Sequence, residues 1–235
     1  MTAPQFPPLF RGEELSGKAD PMQRATQLAI AGTEPGVVVY NLTPQKLLAA
    51  IIFAPEVSLE EAMFVFPASG IGFQNALGSL APPEVAVHLE WPGAIRVNGA
   101  RCGKLTVGAS TSNPSEEPNW LVVGIEIQWS YDDEAPGMQP DKTALMEEGC
   151  ADVVPVELLE SWVRHTLYWI NRWNDEGTKP LHSEWRGLAQ DMGEEVDWGF
   201  AKGLFVGLDE NFGALLRNAD DTDLVPLSRL LEINQ

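Results

Sequence analysis

An Asn98-Gly99 dipeptide between two apolar segments constrains the fold of this chain more than any other sequence feature. Asn-Gly favours a two-residue hairpin turn, because both residues tolerate the positive φ angles that this turn requires. We therefore expect residues 95–97 and 101–109 to pair as a β-hairpin. Apolar residues alternate with a period of two in residues 84–90 and 119–130, which predicts a half-buried strand on either side of the hairpin.

Helix signals are interleaved with these strands. Asp20 followed by Pro21 is a typical helix start, with an acceptor at the cap and proline at the first helical position. Ser58 and Glu61 form a capping box, and Pro67 predicts a break in the helix that they begin. The predicted elements are helices at 21–31, 58–80, 155–176 and 181–189, and buried strands at 36–40 and 46–54. We expect the break in the second helix to lie at residues 67–72.

The pattern changes near Gly193, after which only short apolar runs and turns follow. We therefore predict two domains, at residues 1–192 and 193–235. The fold class is α+β, with a mixed or antiparallel sheet covered by helices and a small β domain at the C-terminus. Residues 1–19 are rich in proline and are expected to be irregular. Residues 131–152 are expected to form a long acidic loop.

Charge excludes several classes of partner. The 235 residues include 34 Asp and Glu against 15 Lys and Arg, which gives a net charge of −19. An acidic chain lacks the basic surface that nucleic acids and anionic membranes require, so neither is an expected partner. No apolar run approaches the roughly 18 residues of a membrane span, and the first residues do not resemble a secretory leader. The two cysteines form no C-x-x-C motif, which favours a cytoplasmic protein.

Metal and nucleophile motifs are missing from the sequence. His88, His165 and His182 are far apart, and none has a second His or Cys at ligand spacing. The sequence also contains no G-x-S-x-G nucleophile elbow. We therefore predict no metal site.

The segment at residues 91–105 carries the most informative chemistry. A Trp-Pro-Gly turn precedes the hairpin, and Arg101 and Lys104 follow it beside Gly103. Two cations close together in such an acidic chain favour an anionic ligand, either a carboxylate or a phosphate. The alternative, that both are ordinary exposed strand cations, remains open on spacing alone.

This segment resembles the Trp-Pro-Asn-Asp signature of biotin–protein ligases. The sequence at residues 123–128 resembles the V-G-x-G-x-N strand of that family, and residues 207–215 resemble the hairpin of its C-terminal SH3-like barrel. The resemblance covers residues 20–232 in the family's order of elements. It implies a biotin/lipoate ligase-like domain followed by an SH3-like β domain.

The resemblance also implies a reaction and its residues. Family members use ATP to convert biotin or lipoate into an acyl-adenylate, which a lysine of a biotin- or lipoyl-carrier domain then attacks. Arg101 and Lys104 take the position of the lysine that neutralises phosphate and carboxylate charge, so they are the expected catalytic residues. Expected ligand-binding residues are Lys46, a weaker phosphate contact, Trp91 beneath the pocket, and three glycines that admit the ligand to the backbone, Gly93, Gly103 and Gly124. A homodimer is compatible with the resemblance.

Three departures from the family pattern bear on activity. The family has a G-R-G-R-x-G-R loop where this chain has residues 41–46, which contain neither glycine nor arginine. The Asn-Asp of the signature is Gly93-Ala94, and the second glycine of the V-G-x-G-x-N strand is Glu126. These changes predict that any adenylation is weak or needs a partner. The alternative function is a non-catalytic module that binds a small carboxylate or a carrier domain.

Overall fold

The computed structural model describes residues 3–131, 141–219 and 221–233. A seven-stranded mixed sheet, in the order β1-β2-β3-β7-β6-β5-β4, forms its centre. β1 runs parallel to β2, and the other neighbouring strands are antiparallel. The strands are β1 (Arg11–Glu14), β2 (Val37–Leu42), β3 (Lys46–Phe53), β4 (Val87–Glu90), β5 (Ala94–Val97), β6 (Ala100–Ala109) and β7 (Leu121–Gln128).

The predicted hairpin is confirmed. β5 and β6 pair around Asn98 and Gly99, whose φ angles are 50° and 91°. Positive φ at both central residues matches the right-handed twist of the strands. A bulge between Ile95 and Arg96 shifts the register of this pair.

One strand lies where an irregular segment was expected. Residues 1–19 include β1, whose residues Arg11 to Glu14 lie beside Val37 to Tyr40 of β2. β1 has the sequence Arg-Gly-Glu-Glu and is mostly exposed. A charged strand at a sheet edge shows no apolar alternation, so the sequence pattern missed it.

Six helices are described: α1 (Pro21–Ile30), α2 (Leu59–Ala62), α3 (Val65–Leu80), α4 (Pro155–Glu176), α5 (Thr178–Leu188) and α6 (Arg229–Ile233). The predicted break between Ser58 and Leu80 exists, but its predicted position at residues 67–72 is wrong. The helix breaks at Met63 and Phe64, between α2 and α3. Pro67 lies in the first turn of α3, where its missing N–H leaves no hydrogen bond unmade.

The two faces of the large sheet are covered differently. α3 and α4 pack over one face and close the main core. α1 covers only part of the other face, which we call the α1 face. Ala25 and Ala29 of α1 pack there against side chains of the neighbouring strands. These strand residues are Val37, Val39, Ala50, Ile52 and Val122.

Beyond α1, the same sheet face carries polar side chains. Strand alternation assigns them to it, because their neighbours Leu47, Leu105 and Ile125 lie in the main core. The polar or small residues of this part are Lys46, Glu90, Arg96, Lys104, Thr106, Gly124 and Glu126. This half-exposed surface contains the candidate site.

A second, antiparallel sheet forms the small C-terminal domain, in the order β11-β10-β9-β8. Its strands are β8 (Glu195–Asp197), β9 (Lys202–Leu208), β10 (Ala214–Asn218) and β11 (Asp221–Val225). The domain boundary at residues 192 and 193, and the likeness to an SH3 barrel, remain predictions. β8 and α6 were not predicted, since both are too short for a clear periodicity.

The expected acidic loop at 131–152 is only partly covered by the structure, because residues 132–140 lie outside the described residues. Leu145–Glu148 forms a 3₁₀ helix that ends at Gly149, whose φ is 82°. Within the part of the chain that the structure describes, no helix has both the length and the apolar character needed to cross a membrane.

Candidate functional site

A small pocket lies where the amino end of α1 meets the large sheet. Asp20 caps the helix, and its Oδ1 accepts a hydrogen bond of 2.8 Å from the Met22 backbone nitrogen. The pocket has a volume of about 150 Å³. Its walls are formed by Asp20, Pro21, Met22, Leu48, Ala49, Lys104, Thr106, Gly124, Ile125 and Glu126.

Gly124 permits close packing at the wall of the pocket. A Cβ atom at this position would lie 2.6 Å from Thr106 Oγ1 and 3.1 Å from Met22 Sδ. Both distances are shorter than ordinary van der Waals contacts, so any side chain at Gly124 would displace its neighbours. The absence of a side chain therefore allows Met22 of α1 to approach the sheet closely beside the pocket.

A larger groove continues from the pocket along α1. Its volume is about 780 Å³, and Asp20, Met22 and Thr106 line both spaces. Gln23, Thr26 and Gln27 of α1 form one side, and the far end of β6 with Trp120 forms the other. The two spaces share Asp20, Met22 and Thr106 and together form a cleft with mixed polar and apolar walls, of a size that suits a small molecule.

Glu126 lies between two lysines at one end of the pocket. Its Oε1 is 2.5 Å from Lys46 Nζ, and its Oε2 is 3.6 Å from Lys104 Nζ. Burial raises the pKa of Glu126, but hydrogen bonds and charge from Lys46, with a smaller contribution from Lys104, bring it below its ordinary value. Glu126 is therefore ionised at neutral pH.

A second group with the same charge pattern lies on β4, β5 and β6. The buried carboxylate of Glu90 accepts hydrogen bonds from Arg96 Nε at 2.8 Å and Arg101 Nε at 3.1 Å. Arg101 Nη2 donates a further bond to Glu90 Oε1. Burial raises the pKa of Glu90, but the bonds and charges of both arginines lower it below its ordinary value overall. Arg101 is thus held by a carboxylate of the chain itself.

The connection between β2 and β3 is a short turn that hydrogen bonds hold closed. Thr43 and Lys46 are joined by two hydrogen bonds of 2.9 Å, one from each backbone nitrogen. The Gln45 carbonyl accepts a bond of 2.7 Å from Trp129 N, and the Pro44 carbonyl accepts one of 2.7 Å from Ser130 Oγ. The turn is therefore pinned to the segment after β7.

The predicted site residues fall into three groups. Lys104 and Gly124 line the pocket, and Lys46 contacts Glu126 at its edge. Arg101 belongs to the neighbouring Glu90 group. The remaining three residues, Trp91, Gly93 and Gly103, do not line the pocket or the groove.

Trp91, Gly93 and Gly103 each make close contacts within the protein. Trp91 is 3% exposed, and its indole nitrogen bonds to the Phe212 carbonyl. A Cβ atom on Gly93 would lie 2.7 Å from the Phe66 ring, and one on Gly103 would lie 2.3 Å from the Glu126 carbonyl. Both glycines thus permit close packing within the protein.

The pocket also uses residues that the sequence analysis did not assign to a site. Asp20 was recognised only as a helix cap, and Met22 and Thr106 carried no functional signal. Their role depends on the long-range contact between α1 and β7, which local patterns do not reveal. Among the described ranges 3–131, 141–219 and 221–233, no three His, Cys, Asp or Glu side chains are grouped to hold a metal ion.

Comparisons with known proteins agree with this architecture. The model of the biotin/lipoate A/B protein ligase family matches residues 6–187, and the model of a domain of unknown function matches residues 192–233. This chain belongs to the biotin/lipoate A/B protein ligase family. None of the curated proteins matches it.

Two solved structures show how the chain relates to its family. A biotin protein ligase-like protein of unknown function from Silicibacter sp. is 52% identical, with a TM-score of 0.91 over 97% of this chain and 99% of that chain. The biotin protein ligase from Aquifex aeolicus is 18% identical, with a TM-score of 0.73 over 92% of this chain and 95% of that chain. The second match shows a shared fold, and the first a closer relative of unknown function.

Proposed function

We propose that this chain is a non-catalytic binding protein of its family, which holds a small carboxylate in the pocket at the amino end of α1. The ligand body lies along the groove beside α1, and its carboxylate meets Lys104. Biotin and lipoate are the first ligands to test, because the family is named for them and structures of related ligases contain biotin. A carrier domain is the alternative partner.

The pinned β2–β3 turn is the observation that carries this proposal. ATP-dependent attachment needs backbone amides and cations around the phosphates, which in this family the resemblance assigns to a glycine- and arginine-rich loop. The turn at residues 43–46 offers one lysine, and Glu126 already binds it. Losing one transition-state donor costs about 100- to 1000-fold in rate, so the absence of several disfavours adenylation.

Lys104 is the cation best placed for a single carboxylate. Its ammonium lies 3.6 Å from Glu126, a longer separation than that of Lys46, and its side chain is 59% exposed. A ligand carboxylate therefore binds the Lys104 ammonium while Glu126 stays paired with the same ammonium. Leu48 and Met22 supply apolar side chains beside Lys104 against which the ligand body packs.

Calorimetric titration of biotin, lipoate and octanoate into the protein without nucleotide tests the proposal. We expect at least one to bind, and Lys104→Ala to weaken it about tenfold, the effect of losing one exposed charged hydrogen bond. Lys179→Ala is the matched control, since Lys179 is an exposed lysine of α5 outside the pocket. Absence of binding by all three carboxylates, or equal affinity in both variants, contradicts the proposal.

A further inference from the structure

Glu126 has a position that the family pattern does not predict. On β7 it lies directly opposite Lys104 of β6 and opposite Leu48 of β3, which is two residues from Lys46 on the same strand. All three charged side chains lie on the α1 face, and the carboxylate bridges the two ammonium groups across three strands. Cross-strand pairs of opposite charge stabilise each other, so this arrangement persists when no ligand is bound.

The bridge changes what the pocket attracts. Without Glu126, two ammonium groups would face the pocket edge with no carboxylate between them. With Glu126, one charge of the pair is cancelled, and a phosphate that approaches Lys104 also meets a carboxylate with 31% of its side chain exposed. Charges at such short range repel strongly where the side chains are partly buried.

Asp20, the other carboxylate of the pocket, has a different role. Its Oδ1 is engaged by the Met22 backbone nitrogen, and it lies at the positive end of the α1 dipole. A capping carboxylate there is largely compensated by the helix. Glu126 therefore repels anions in the pocket more strongly than Asp20 does.

We propose that Glu126 sets the charge specificity of this pocket: as the internal counter-ion of Lys46 and Lys104, it excludes phosphate-bearing ligands and leaves one shared ammonium for a singly charged carboxylate. The inference deepens the proposed function and rests on it for the identity of the carboxylate site. The inference is tested by the binding of pyrophosphate, and the proposed function by the binding of carboxylates. The failure of one can therefore be distinguished from the failure of the other.

The test is calorimetric titration of inorganic pyrophosphate and of AMP into the wild type and Glu126→Gln. Glutamine keeps the shape and an acceptor oxygen for Lys46 but removes the charge. We expect at least tenfold tighter pyrophosphate binding in Glu126→Gln, and the loss of that gain in Glu126→Gln/Lys104→Ala. Glu126→Ala in the same assay supplies a second variant, and thermal unfolding shows that each variant is folded.

Glu176→Gln is the matched control for total charge. Glu176 also pairs with a cation, Arg172 at 3.2 Å, but lies at the end of α4 and outside the pocket. Unchanged pyrophosphate affinity in both Glu126 variants, or an equal gain in Glu176→Gln, overturns the inference. If the Glu126 variants gain affinity but the wild type binds no carboxylate, the proposed function fails while the charge effect stands.

Discussion

The Trp91 indole nitrogen donates a hydrogen bond of 3.0 Å to the Phe212 carbonyl, and this bond joins the two domains. Trp91 directly follows β4 of the large sheet, and Phe212 lies in the turn between β9 and β10. The Trp91 ring also lies 4.4 Å from the Trp198 ring, measured between centroids. The tryptophan of the family-like segment thus anchors the C-terminal domain in this chain.

Replacing Trp91 tests this anchor. Trp91→Phe keeps an aromatic ring but removes the donor, so we expect a loss of about 1–2 kcal/mol in the free energy of unfolding. Trp91→Ala also removes the buried ring and is expected to cost about 3–5 kcal/mol. Urea denaturation measures both values. A phenylalanine variant as stable as the wild type would show that the bond to Phe212 contributes nothing.

Two glycines of α3 are expected to respond to alanine in opposite directions. A Cβ atom on Gly72 would lie 2.7 Å from Thr166 Oγ1 and 2.9 Å from its backbone nitrogen, so α4 would have to move away. A Cβ atom on the exposed Gly78 would lie 3.8 Å from Gln74 Nε2, the end of a flexible side chain. Gly72→Ala should therefore destabilise the protein by about 1–3 kcal/mol.

Gly78→Ala is the control for helix propensity and should stabilise the protein by about 0.5–1 kcal/mol. Thermal or chemical unfolding of both variants gives the comparison. Equal effects of the same sign would mean that the contact between Gly72 and Thr166 does not limit the approach of α3 to α4.

The Glu90 group predicts a pH-dependent stability. In the unfolded chain Glu90 has its ordinary pKa of 4.5, and in the folded protein Arg101 and Arg96 outweigh the effect of burial and lower this pKa. Because the folded pKa is the lower one, ionised Glu90 stabilises the protein fully above 4.5. That contribution is lost as the pH falls through 4.5 towards the folded value.

Glu90→Gln isolates this effect from the other carboxylates. The variant should be about 1–3 kcal/mol less stable than the wild type at neutral pH, since both arginines lose a charged partner. The difference should shrink as the pH falls from about 6 to about 3. Urea denaturation across this range provides the measurement, and a difference that stays constant would contradict the assignment.

Local patterns predicted most of the large sheet and its main helices. Asn98-Gly99 predicted the hairpin, and the apolar stripe of residues 155–176 predicted α4, because each signal lies within a few residues of chain. β1 was missed because a charged edge strand has no apolar period. The break near Pro67 was misplaced because proline is harmless in the first turn of a helix.

The candidate site was less accessible from the sequence. Lys104 was identified from the pair of cations beside Gly103 and from the family resemblance, Gly124 from the resemblance alone, and the structure brings both to the pocket. The partners of the cations were not identified, since pairing of Lys46 and Lys104 with Glu126 depends on the register of three strands. Sequence spacing likewise gave no sign that Glu90 holds Arg101.

The proposed function requires that this chain binds a carboxylate without activating it. The most direct measurement is pyrophosphate release from ATP and Mg²⁺ with biotin and then lipoate, together with the mass of an apo-carrier domain in the same reaction. We expect no pyrophosphate above background and an unmodified carrier, although the same protein binds a carboxylate without nucleotide. Pyrophosphate release with a biotinyl or lipoyl mass increase on the carrier would contradict it and establish a ligase.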